Sequence, residues 1–185
     1  MSSVYLAGPE VFLPDPLREQ VQTDKRQRCE YLGITALIPG DNDEGLLTQA
    51  NPALAIYEAN LALLQQADGI IANLSPFRGP SADVGTVFEL GLMLGLGRSA
   101  VGYSVCDTPF PKRIPGGARG DRQGYAIEPF GLPDNLMLPC SLFHHKRPMI
   151  TGQTPYEAGG IPPERLHDPV LFQRALEQWV QLPGG

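Results

Sequence analysis

Short apolar runs alternate with longer segments of helical period along this chain, and turn residues separate the two. Val4 to Ala7 is apolar and stops at Gly8-Pro9, which predicts a buried first strand and a turn. Pro16 to Leu32 reads as a polar helix, with Pro16 in its first turn and Gly33 just past its end. Ile34 to Ile38 predicts a second strand, closed by Pro39-Gly40. Asn51-Pro52 opens a helix whose Leu54, Ile56, Leu61, Leu63 and Leu64 fall at helical spacing to about Ala67. Gly69 to Leu74 follows as a third strand, Val84 to Leu96 as a helix apolar on nearly every side and therefore packed inside, and Ala100 to Val105 as a fourth strand.

Strands that alternate with helices imply a parallel sheet, because parallel neighbours need crossover connections. The fold class expected is α/β: a single flavodoxin-like or Rossmann-like parallel sheet flanked by helices on both faces, with ligands beyond the carboxyl ends of the strands. From Cys106 to Pro133 the rhythm breaks into a Pro- and Gly-rich insertion, a length that in a compact domain signals function or mobility. Leu136 to His145 and Pro169 to Leu182 complete the pattern as short helices, Trp179 lying on the apolar side of the second. No internal repeat or linker divides the 185 residues, so residues 1–185 are expected to form one domain.

Composition narrows the partners. A net charge of −6 disfavours a polyanion such as nucleic acid, which needs lysine and arginine to displace phosphate counterions, but leaves a neutral small ligand open. Cys29, Cys106 and Cys140 are odd in number and widely spaced, without CxxC pairing, and read as reduced thiols. No apolar run reaches the ~18 residues of a membrane span and no signal-peptide pattern opens the chain, so a cytoplasmic protein is expected. His144-His145 lacks further ligands at metal-binding spacing, and no metal or other cofactor is expected.

The stretch Ser75 to Gly91 is richest in chemistry. Asp83 stands at a helix start and Glu89 about a turn and a half inside an otherwise apolar helix. Burying an unpaired carboxylate costs several kcal/mol, roughly, so Glu89 must face a polar cavity or own a partner. Asp83 suits an N-cap as well as a ligand contact, and Glu89 suits a buried ion pair as well as a reactive group. Gly85, Gly91 and Gly95 permit close approach along that helix, by tight packing in the core or by a ligand. Tyr5, Asp41, Asn42, Asp43 and Asn60 sit where strand ends and the second helix can join the two acids. Asp68 reads as a local cap, and Asp15, Asp24 and Glu30 as solvated helix charges.

Tyr5-Leu-Ala-Gly-Pro-Glu-Val-Phe12, Ala67 to Leu74, Asp83-Val-Gly-Thr-Val-Phe-Glu89-Leu-Gly91 and Pro133-Asp-Asn135-Leu-Met137 occur in the order and spacing that resembles the nucleoside 2-deoxyribosyltransferase family, over about residues 4 to 140. The resemblance implies transfer of a deoxyribosyl group between bases through an ester on Glu89. It implies that Tyr5 orients that carboxylate and that Asp83 binds sugar hydroxyls, with Gly8, Asp43, Asn60 and Gly85 in the substrate site. Asn135 and Met137 match a segment that completes a neighbouring subunit's site, which implies a homo-oligomer with nucleoside and free base as partners. Asn60 and Asp43 stand where well-known members carry an Asp and a Gln, and an amide at residue 60 supplies no titratable proton. The insertion, with Arg113, Arg119 and Arg122, exceeds the compact family pattern and reads as solvated charge, a lid or a contact surface.

Two other readings compete. A hydrolase of nucleoside 5′-monophosphates would need phosphate donors; Arg78 and Ser81 could serve, whereas Glu10 in the first turn would repel phosphate. A sensor without turnover would keep the pocket alone.

Overall fold

A computed structural model describes residues 2–41, 45–117 and 120–183. Its sheet has five parallel strands: β1 (Ser3–Ala7), β2 (Thr35–Leu37), β3 (Gly69–Asn73), β4 (Ser99–Cys106) and, after the two-residue hairpin of β5 (Gly116–Gly117) and β6 (Gly120–Asp121), β7 (Met149–Thr154). The order is β2-β1-β3-β4-β7. Chain order reverses between β1 and β3, and the crevice beyond the carboxyl ends of these two strands is where an open sheet of this type binds ligands.

Alternation along β1 decides what faces where. Val4 and Leu6 point to one face, packing with Ile71, Val101 and Tyr103 against α1 (Asp15–Tyr31) and α6 (Pro169–Val180). Tyr5 and Ala7 point to the other, with Ile70, Ala72 and Ala100, against α2 (Pro52–Gln66), α3 (Val84–Gly95) and α5 (Met137–His144). Helices therefore cover both faces, as the sequence pattern predicts. Each fully buried Leu, Ile or Phe side chain contributes roughly 1.5–3 kcal/mol relative to exposure. Tight spots fix the register: a β-carbon on Gly69 would collide with the Ser99 carbonyl and the Trp179 indole.

Three expectations change. A fifth strand, β7, lies at the sheet edge beside β4; only Ile150 of its six residues is buried, so it carries no apolar run to reveal it. Helix α3 is not enclosed: Thr86, Leu90, Met93 and Leu94 are buried, but Val84 and Phe88 are 83% and 52% exposed. Gly91 and Gly95 face open space within this chain, where an added β-carbon would meet nothing, so tight core packing is not their role.

Candidate active site

Strand β1 and helix α3 meet at a polar contact. Tyr5, fully buried mid-strand, donates its hydroxyl to Glu89 Oε1 at 2.7 Å. Glu89 lies a turn and a half into α3 and is half-buried, in a wall shared with Asn60, Gly85 and Phe88 around a cavity of about 260 Å³ between α2 and α3. Removal from water pushes the Glu89 carboxyl up to about 7, Tyr5 opposes the rise by hydrogen bonding to the charged form, and the nearby Asp83 charge adds to it. No cation pairs with Glu89 among the described residues, so the ion-pair reading of this group fails. A carboxyl held near neutrality at a cavity, with one oxygen fixed by a tyrosine, is arranged to act as a nucleophile or a proton-transfer group.

Asp83 is the N-cap of α3, accepting at Oδ2 from the Thr86 amide at 3.0 Å and the Thr86 hydroxyl at 3.1 Å. The cap fixes where the helix begins and hence where Glu89 sits. Gly85 lines the cavity, and a β-carbon there would press to 3.1 Å from Asp83 Oδ2. Asn60 of α2 lies in the wall between this cavity and a neighbouring one of about 540 Å³ that Phe12 and Leu47 also line. Its Oδ1 is buried with no hydrogen-bond partner among the described residues. An unmet buried acceptor costs about 1–3 kcal/mol, which a ligand donor can recover.

Other residues singled out by the sequence make different contacts. Gly8 is needed by its neighbour, since a β-carbon there would collide with the Glu10 carboxylate. Asn135 donates Nδ2 to Glu128 Oε1 at 2.5 Å and accepts from the Met137 amide at 3.1 Å, while Met137 is exposed; neither lines the Glu89 cavity of its own chain. Asp43 and Arg119 lie outside the described residues. Asp68 ties the start of β1, accepting from the Ser3 amide at 2.8 Å. Asp24 is not a solvated charge but pairs with Arg28 at 2.8 Å and contacts His167 at 2.9 Å. A cavity of about 1120 Å³ is a broad groove by α5 and α6 that shares no lining residue with the Glu89 site. His144 and His145 stack edge-on beside it, and the described residues contain no metal-binding cluster.

Sequence reasoning missed a second polar centre on the opposite face of the sheet. Glu10, 5% exposed, turns inward and binds Lys25 Nζ at 2.5 Å through Oε1, which also accepts from Asn73 Nδ2 at 2.8 Å and the Tyr103 hydroxyl at 3.2 Å. Burial alone would raise the Glu10 carboxyl, but the Lys25 charge and the hydrogen bonds from Lys25 and Asn73 together hold it below its usual range. Glu10 thus faces the core, and its expected repulsion of phosphate has no basis. Ser81 is equally committed, donating Oγ to Asp134 Oδ1 at 2.5 Å. Arg78, in a left-handed backbone conformation at φ 53°, rests its guanidinium on Phe12 and Phe77 at 5.0 and 4.7 Å. A signal for the buried centre does exist in the sequence: Lys25 falls between Val21 and Cys29 on the buried stripe of α1.

Comparison with known proteins identifies the family. The family model for nucleoside 2-deoxyribosyltransferase matches residues 4–137. A solved 2-desoxiribosyltransferase from Leishmania mexicana is 37% identical, covers 75% of this chain and 85% of its own, and superposes with a TM-score of 0.63. A conserved protein from Enterococcus faecalis V583 shares the fold at 16% identity and a TM-score of 0.54, over 96% of this chain and 98% of its own. An uncharacterized protein of Schizosaccharomyces pombe is 32% identical over 115 residues, 60% of this chain; the match spans about half, 54%, of that relative's length. With the matched stretch running from β1 to the start of α5, and so taking in Tyr5, Asp83, Glu89 and Asn135, the chain belongs to the nucleoside 2-deoxyribosyltransferase family.

Proposed function

We propose that this chain transfers a 2-deoxyribosyl group from one nucleobase to another through a covalent ester on Glu89. The observation that carries the reading is the 2.7 Å bond from Tyr5 to Glu89 at the edge of a cavity, with the carboxyl pushed up to about 7. Tyr5 occupies Oε1, and Oε2 attacks the anomeric carbon while the carbon–nitrogen bond breaks and its electron pair leaves with the base. A second base then attacks the same carbon through a ring nitrogen, the N–H proton it sheds balances the proton taken up by the departing base, and the carboxylate is released. Two inversions return the original configuration.

Asp83, held at the helix start, lies where a free carboxylate oxygen can accept from a sugar hydroxyl. Asn60 faces the base and, being an amide, offers a donor and an acceptor without a proton to give. Asp43 and Gly8 are assigned to the substrate end by the family resemblance. Asn135 and Met137 complete the site of a neighbouring copy, a role supported by their absence from the lining of their own chain's cavity and by the exposed Tyr57 and Phe88 that do line it.

Incubation with a deoxynucleoside, with and without a second base, tests the proposal. Appearance of the exchanged nucleoside supports transfer, release of free base alone means hydrolysis, and binding without turnover means a sensor. An acid-quenched digest should show a peptide containing Glu89 heavier by one deoxyribosyl group; its absence during turnover removes Glu89 as nucleophile.

A further inference from the structure

Two opposite charges are buried together at the base of the Pro- and Gly-rich insertion, away from the Glu89 cavity. The side chains of Arg113 and Asp134 are fully buried, with Nη1 and Oδ2 3.6 Å apart. Arg113 comes from the one-turn helix α4 (Phe110–Arg113), and its guanidinium reaches carbonyls on three separate segments. Nε donates to the Thr108 carbonyl at 2.7 Å, Nη1 to Pro80 at 2.9 Å and Nη2 to Pro133 at 2.6 Å. Asp134 binds two of these segments: Oδ1 accepts from the Ser81 hydroxyl at 2.5 Å and the Asn135 amide at 2.7 Å, and Oδ2 from the Ala82 amide at 3.0 Å.

A pair this deep is a weak source of stability, because desolvating two ions offsets their attraction. Apolar residues of equal volume could fill the space. They could not hold three stretches of backbone by directed bonds, which the planar fork of an arginine does well. The residues held are informative: Ala82 immediately precedes Asp83, and Asn135 immediately follows Asp134.

We infer that Arg113 and Asp134 are positioning residues, a buried joint through which the insertion fixes the approach to Asp83 and the Asn135 segment in one geometry. The sugar-binding roles of Asp83 and Asn135 rest on the function proposed above; the mechanical role of the joint does not.

Two variants test it. Arg113→Lys keeps the charge but cannot span three carbonyls, and Ser81→Ala keeps both charges while removing one bond. Amide hydrogen exchange at Ala82 and Asn135 should quicken by about tenfold or more in Arg113→Lys, and less at Ala82 in Ser81→Ala, with Ile70 and Ile71 in β3 unchanged. Unchanged exchange at Ala82 in both folded variants overturns the joint, and if Arg113→Lys fails to fold, Ser81→Ala decides alone. In base exchange, Arg113→Lys should lower kcat by about 100-fold, and the fold-loss should shrink in an Asp83→Asn background, where one of the two groups being positioned no longer acts. An equal fold-loss in both backgrounds marks a merely structural residue and overturns the positioning role. A wild-type chain that neither exchanges nor releases bases defeats the transferase reading instead, and hydrogen exchange then judges the joint.

Discussion

Two glutamates, each bonded to a fully buried tyrosine, occupy opposite faces of one sheet and meet opposite fates. Glu10 accepts from Tyr103 and also from Lys25 and Asn73, so its charge is matched and its carboxyl is held below the usual range. Glu89, among the described residues, accepts from Tyr5 and has no cation beside it; burial, with the like charge of Asp83 adding to it, pushes it up to about 7. The tyrosine is common to both and decides neither. What separates a structural carboxylate from a reactive one here is a buried cation on one face and a cavity on the other.

The sharpest way to break this contrast is to delete each carboxylate's role. Glu89→Ala should lower base exchange by about four orders of magnitude or more while far-UV circular dichroism stays unchanged. Activity near wild type would move the chemistry elsewhere. On the other face, Lys25→Met should leave Glu10 buried and unpaired and cost about 3–5 kcal/mol in urea unfolding at pH 7. A loss below 1 kcal/mol, roughly, would mean that Glu10 simply takes up a proton or finds water.

Smaller effects sharpen it. A carboxyl whose folded pKa exceeds its unfolded value keeps its proton longer in the folded state, so ionising it costs stability as pH climbs from the usual 4.5 to about 7. Glu89→Gln should therefore stabilise the fold by about 3 kcal/mol at pH 8 and by nothing below pH 4, roughly. Glu10, shifted the other way, contributes stability above its unfolded pKa and loses it in acid. The opposite signs are measurable as opposite pH dependences of the change in unfolding free energy on Glu89→Gln and on Glu10→Gln. Tyr5→Phe should cost about ten- to a hundredfold in kcat and move the acidic limb of kcat/KM to higher pH, because the lost donor had favoured the charged carboxylate. A limb that stays in place would detach Glu89 from that titration.

Periodicity alone determined much of this protein. The strand–helix alternation fixed four of the five sheet strands and the parallel class, because buried parallel strands must be apolar runs and their crossovers must be amphipathic or apolar helices. The order of Tyr5, Asp83 and Glu89 marked the candidate site, since an acid inside an apolar helix has few harmless explanations. Tertiary structure alone decided the rest. Edge strand β7 has a sheet neighbour on one side only and needs no apolar run. Glu10 and Lys25, fifteen residues apart, and Arg113 and Asp134, twenty-one apart, look like ordinary surface charges until the fold closes around them. Charge pairing is a property of distance in space, and a linear pattern records only which side chains are able to pair.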